Sequence, residues 1–145
     1  MISNNVPKYW EEGKSYLKNL DPKMAELINL FEYPSLRTKD DIFMTLIRSV
    51  VGQQISVKAA DTVWNRLLEK VTKITPSIIS SKDNLELHSC GLSHRKVEYI
   101  KEISKIWINE YHLADWNELT NDLVIEKLTK IRGVGIWTAE MILIF

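Results

Sequence analysis

The sequence predicts an all-α protein, and three observations carry that expectation. Apolar residues recur at helical spacing along Ile42, Phe43, Leu46, Ile47, Val50 and Val51, and again along Val97, Ile100, Ile103 and Trp107. No stretch alternates apolar and polar residues with comparable strength. Helix starts are marked by a capping side chain followed by proline, at Asp21-Pro22 and Thr75-Pro76. A chain of 145 residues has room for one sizeable core, so residues 1–145 are expected to form a single all-α domain.

In chain order, residues 5–20 carry Val6, Tyr9, Trp10, Tyr16 and Leu17 as a loose amphipathic helix. Leu27, Ile28 and Phe31 are expected on the buried side of the helix that starts at Asp21-Pro22. Tyr33-Pro34-Ser35 is a connection, and Thr38 to Asp41 fits a capping box for the next helix. Gly52-Gln53-Gln54-Ile55-Ser56 interrupts the apolar run, and Ser56 caps a helix buried along Ala60, Val63, Trp64, Leu67, Leu68 and Val71. A short helix follows Thr75-Pro76, and Gly91 reads as a C-terminal stop. Ser93 caps a helix with His94, Arg95 and Lys96 in its first turn. The helix dipole disfavours cations there, so these residues either serve an external anion or stand as solvated charge. Tyr111 to Trp116 reads as a polar-aromatic connection, and Thr120 or Asn121 caps a helix carrying Leu123, Val124, Leu128 and Ile131.

The centre of the chain's organisation is Leu128 to Phe145, LTKIRGVGIWTAEMILIF. It reads as helix, tight turn, helix, with the hairpin at about 121–145. Glycine permits positive φ and close backbone approach, and both Gly133 and Gly135 are expected to use that freedom. The amides of Val134, Gly135 and Ile136 then face outward at the positive end of a helix dipole, which suits phosphate. Taken alone, the turn serves equally well as a hydrated interhelical connection. The adjacent Gln53 and Gln54 also admit two readings: amides that cap neighbouring backbone, or side chains that meet another molecule.

Composition narrows the classes. Apolar content of 45% and charged content of 26% are those of an ordinary globular protein, and formal net charge is zero. A nucleic-acid binder with that balance has to use a local basic face and backbone amides. The single cysteine, Cys90, excludes an internal disulfide and a cysteine-ligated iron–sulfur cluster, and reads as a small core residue. No stretch is long and apolar enough for a membrane span, and residues 1–20 lack the pattern of a secretory signal. The expected setting is intracellular: cytoplasm or nucleoid in a bacterium, nucleus in a eukaryote.

Three blocks, SVVGQQISVKAADTVWNRL, GLSHRKVEYI and IRGVGIWTAEM, stand in an order and spacing that resemble the helix-hairpin-helix DNA glycosylase superfamily. Within it the closest resemblance is to the 3-methyladenine DNA glycosylase II branch, over roughly residues 36–145. The resemblance implies base-excision repair by a DNA N-glycosylase acting on alkylated purines of the 3-methyladenine and 7-methylguanine type. Its partner is double-stranded DNA with an alkylated base, and the protein is expected to be a monomer.

The same resemblance assigns residues. Arg132, Gly133, Val134, Gly135, Ile136 and Thr138 would grip DNA, and Trp137 would line the base pocket. Gln54, with Gln53 beside it, falls where relatives place the plug that fills the gap of a flipped nucleotide. Ser56, Lys58, Arg95 and Lys96 are candidate phosphate contacts. Backbone carbonyls of Thr129, Ile131 and Val134 would hold a monovalent cation, sodium or potassium; no catalytic cofactor is implied. Bifunctional relatives carry a Schiff-base lysine where this chain has Trp137, so the implied enzyme is monofunctional and uses water. The family's catalytic aspartate lies beyond the second hairpin helix, and residues 1–145 stop inside that helix. The fold is therefore expected to be incomplete at its C-terminus, the 145 residues to be inactive alone, and no residue is assigned a catalytic role. The alternative is a non-catalytic duplex-binding helix-hairpin-helix module.

Overall fold

The structure, a computed structural model, describes residues 6–7, 9–31 and 41–144. Its regular elements are helical, with no strand among the described residues. They divide into two compact units, residues up to 40 with Ile144 and residues Asp41–Leu143. In the first, α1 (Trp10–Leu20) and α2 (Pro22–Leu30) meet at Asp21. The Asp21 carboxylate accepts from the N–H groups of Lys23 at 2.8 Å and Met24 at 3.4 Å, with Pro22 at the first helical position. That is the cap the sequence predicts, whereas α1 begins only at Trp10. The burial expected for α2 is not found. Leu27 is 48% exposed and Phe31 73% exposed, and both line an apolar groove of about 550 Å³ beside α1.

The second unit begins with α3 (Ile42–Gly52), α4 (Val57–Val71), α5 (Pro76–Ser81) and α6 (Asn84–Ser89). It continues with α7 (His94–Asn109), a 3₁₀ turn at Tyr111–Leu113, α8 (Asn121–Thr129) and α9 (Ile136–Ile144). Asp41 itself caps α3, its side chain accepting from Met44 N–H at 2.9 Å. The Thr38 cap and the Tyr33-Pro34-Ser35 connection lie outside the described residues. Ser56, Thr75, Ser93 and Thr120 cap α4, α5, α7 and α8 as the sequence predicts. α6 has no counterpart among the helices expected from the sequence. Its capping box was nevertheless written there: Asp83 accepts from Leu85 N–H at 2.7 Å, and Glu86 accepts from Asp83 N–H at 3.1 Å.

α7 is the longest helix and packs against α3, α5, α6 and the 3₁₀ turn. Leu46, Ile47 and Val50 of α3, Leu67 of α4, and Ile100 and Ile103 of α7 are fully buried around it. Each contributes roughly 1.5–3 kcal/mol by leaving water. Cys90 is buried in this core, where desolvation pushes its thiol above the ordinary range. The 111–116 segment is more than a connection. Trp107 stacks on Trp116 with centroids 5.3 Å apart, Tyr111 packs edge-on against both rings, and its hydroxyl donates to Lys127 O at 2.7 Å. That aromatic cluster fixes the approach to α8.

Candidate nucleic-acid interface

α8 carries the chain into the hairpin, and the turn is built from main-chain bonds. Ile131 N–H donates to Leu128 O at 3.1 Å, and Val134 N–H donates to Ile131 O at 3.1 Å. The second bond closes a reverse turn from Ile131 to Val134. Gly133 occupies its third position with φ +89°, the site at which a type II turn needs glycine. Ile131 and Val134 are buried and root the turn in the core. Gly133 is also wedged against α7: a Cβ there would lie 2.4 Å from Tyr99 Cδ2.

Gly135 is different. Its φ is not positive and nothing lies within 4 Å of where its Cβ would be. Ala139 N–H donates to Gly135 O at 3.1 Å, so α9 starts with Gly135 as its cap. The amides left without an intrahelical acceptor are those of Gly135, Ile136, Trp137 and Thr138. This corrects the sequence expectation for Val134, whose N–H is already used in the turn and whose side chain is buried. Thr138 is buried as well. Ile136 and Trp137 stand out at 62% and 68% exposure. Trp137 is therefore no core residue, in contrast to Trp64 and Trp107, which are buried as expected.

Two of the cations expected to meet phosphate are engaged within the chain. Arg132 Nε lies 2.9 Å from Glu102 Oε2, its Nη2 lies 3.5 Å from Glu98 Oε2, and its guanidinium sits over Tyr99. Two carboxylates of α7 face it and tie the hairpin to that helix. Lys96 turns inward and donates from Nζ to Val51 O at 2.7 Å, at the negative C-terminal end of α3. Burial pushes its ammonium below the ordinary lysine range. Arg95, Lys58 and Ser56 remain exposed.

The two glutamines separate. Gln53 Nε2 donates to Gly133 O at 2.9 Å, across 80 residues of sequence. Gln54 is exposed with φ +59°, a left-handed conformation that a residue with a Cβ adopts only when its surroundings hold it there. Tyr99, Glu98 and Glu102 were not singled out from the sequence, because nothing local marks them. Their roles come from the hairpin about 30 residues further on.

The hairpin turn, rooted by Ile131 and Val134, is thus tied to α7 through Arg132 and to the Gln53-Gln54 loop through Gln53. Residues 47–139 match the family model described as HhH-GPD superfamily base excision DNA repair protein. The chain is 34% identical over 142 residues to DNA-3-methyladenine glycosylase 1 of Schizosaccharomyces pombe, across 92% of this chain and 62% of that protein. It therefore spans less than two thirds of that relative's length. The solved 3-methyladenine DNA glycosylase of Schizosaccharomyces pombe in complex with abasic DNA superposes with a TM-score of 0.79 at 31% identity. That match covers 92% of this chain and 69% of that one. The DNA-3-methyladenine glycosidase of Bacillus halodurans gives a TM-score of 0.73 at 33% identity, over 89% of this chain and 61% of that one. With the family model spanning the core helices and the hairpin together, the chain belongs to the HhH-GPD superfamily of base excision DNA repair proteins.

Proposed function

We propose that this chain supplies the duplex-gripping and lesion-probing part of a monofunctional DNA N-glycosylase that removes alkylated purines. The observation that carries the reading is the hairpin itself: the first amides of α9, which have no intrahelical acceptor, an exposed Trp137 among them, and Gln54 exposed beside the Gln53 that binds the turn. Main-chain donors at a helix N-terminus fit a DNA phosphate and carry no sequence preference. Flipping a nucleotide costs a few kcal/mol, less for a damaged pair. Gln54 is suited to fill the vacated stack. Trp137 offers an aromatic face to a cationic methylated purine, worth roughly 1–2 kcal/mol when desolvated. With tryptophan where the resemblance places the Schiff-base lysine of bifunctional relatives, the reading takes water as the nucleophile and a carboxylate to stabilise the oxocarbenium sugar.

Asp115 and Glu140 are both solvent-exposed, and neither is assigned that role. Residues 1–145 by themselves are expected to bind duplex DNA and to release no 3-methyladenine or 7-methylguanine from alkylated duplex. Gel-shift or anisotropy titration checks the first and chromatography of released bases the second. Absence of duplex binding overturns the DNA reading, and measurable release overturns the assignment of no catalytic carboxylate.

We propose a monovalent cation at the turn. Thr129, Ile131 and Val134 place three main-chain carbonyls within six residues, near the negative end of α8, and oxygen donors suit sodium or potassium. Ile131 O accepts one hydrogen bond, from Val134, and a carbonyl keeps a second lone pair for an ion. Such an ion would add positive potential beside the amides, which a chain of zero net charge otherwise lacks. Duplex affinity is expected to be higher in potassium than in tetramethylammonium at equal ionic strength. Equal affinity in both salts removes the ion from the interface.

A further inference from the structure

We propose that Gln53 is a positioning residue that couples the two DNA-facing elements, setting the register of the Gln54 loop against the hairpin. This rests on the duplex-binding reading above and divides the adjacent glutamines between two tasks. Gln53 is half-buried and its amide nitrogen meets Gly133 O at 2.9 Å. A carbonyl only accepts, so the side chain is oriented with its donor on the hairpin and is not available to enter a base stack. Gly133 itself takes a positive φ and packs close against the Tyr99 ring. The same α7 face also holds the α3 end of the loop. Lys96, one turn before Tyr99, donates to Val51 O just ahead of Gln53.

The consequence falls on Gln54. With Gln53 fixed to the hairpin and Ser56 committed to capping α4, only Gln54 and Ile55 remain to reverse the chain. Gln54 takes the left-handed conformation that this short reversal imposes and is left pointing into solvent. A plug is useful only if it meets the duplex at a set distance from the gripped phosphate. The Gln53–Gly133 bond is the direct link between the loop that bears the plug and the turn that precedes the gripping amides. A loosened loop should therefore lose discrimination for a gap in the stack while the grip on intact duplex remains.

The test uses the 145-residue protein, an intact duplex, and the same duplex with an abasic analogue beside 2-aminopurine. Gln53→Leu is expected to stay folded, melting within about 5 °C of wild type, and to hold intact-duplex affinity within about twofold. Its preference for the abasic duplex, and its 2-aminopurine signal, should fall about five- to tenfold, the size of one lost hydrogen bond. Gln54→Ala should lose the same preference, and the double variant should be no worse than Gln54→Ala alone, because coupled residues are not additive. Gln53→Glu adds a readout that packing does not move. Its carboxylate cannot donate to Gly133 O near pH 7, whereas the protonated acid can near pH 4, so its preference relative to wild type should recover on acidification. Equal losses on both duplexes, additive losses in the double variant, or no recovery on acidification overturn the coupling role. Failure of wild type to bind either duplex instead overturns the underlying reading, and the coupling role with it.

Discussion

Gly133→Ala is expected to destabilise the protein by about 2–5 kcal/mol, the largest stability loss of any single-methyl addition in the hairpin. Two independent costs meet at this position. With φ at +89°, any L side chain is strained, by roughly 1–2 kcal/mol. The added Cβ would also fall 2.4 Å from Tyr99 Cδ2 and 2.7 Å from its Cε2 and Cγ. Three ring atoms have to retreat together, and the Arg132 guanidinium already lies 5.6 Å from the ring centroid. Overpacking of this kind costs about 1–3 kcal/mol. The melting temperature should fall by about 10 °C. The two costs separate in a Tyr99→Leu background, where the steric part is relieved and the positive-φ part persists. If Gly133→Ala melts like the wild type, the turn does not have the conformation described.

The contrast between Gly133 and Gly135 shows how far sequence reading reaches. G-V-G between two apolar helices announces a turn, and the structure has one. Which glycine takes positive φ depends on which residue the Ile131–Val134 bond spans, and a Cβ clash depends on a tyrosine 34 residues earlier. Caps were legible for the same reason in reverse. At Asp21, Ser56, Thr75, Ser93 and Thr120 the donor and acceptor lie within three residues of each other. Asp83 and Glu86 carry an equally local signal, with donor and acceptor again within three residues.

Among site residues, the reading located the hairpin and the Gln53-Gln54 loop but not how the loop divides. Gln53 finds its partner 80 residues away, and one of the two readings left open for it, an amide bonded to neighbouring backbone, is the one observed. Lys96 and Arg132 looked like phosphate ligands because an isolated sequence shows a cation but not its counterpart. The counterparts are the end of α3 for one and two α7 carboxylates for the other. The exposed faces of α2 escaped for a different reason: helical periodicity predicts an apolar side, not what covers it.

Gly135→Asp is expected to leave the fold intact and to weaken duplex binding by about 10- to 100-fold, equally for every sequence tested. No strain opposes the substitution, since φ at Gly135 is not positive and a Cβ there meets open space. Aspartate is in addition a favoured helix cap, so the melting temperature should hold or rise slightly. The same carboxylate is ruinous for phosphate. It accepts from the amides of α9 that the anion would otherwise use, and it places a negative charge where the phosphate has to sit. Gly135→Asn separates these effects, because it caps without the charge and should lose less affinity than the aspartate variant. The salt dependence of wild-type binding should be shallow, since main-chain amides release few counterions and Lys96 and Arg132 are already engaged. Binding curves paired with thermal melts decide the matter. A Gly135→Asp protein that melts like the wild type and still binds duplex with undiminished affinity shows that the hairpin amides are not the clamp.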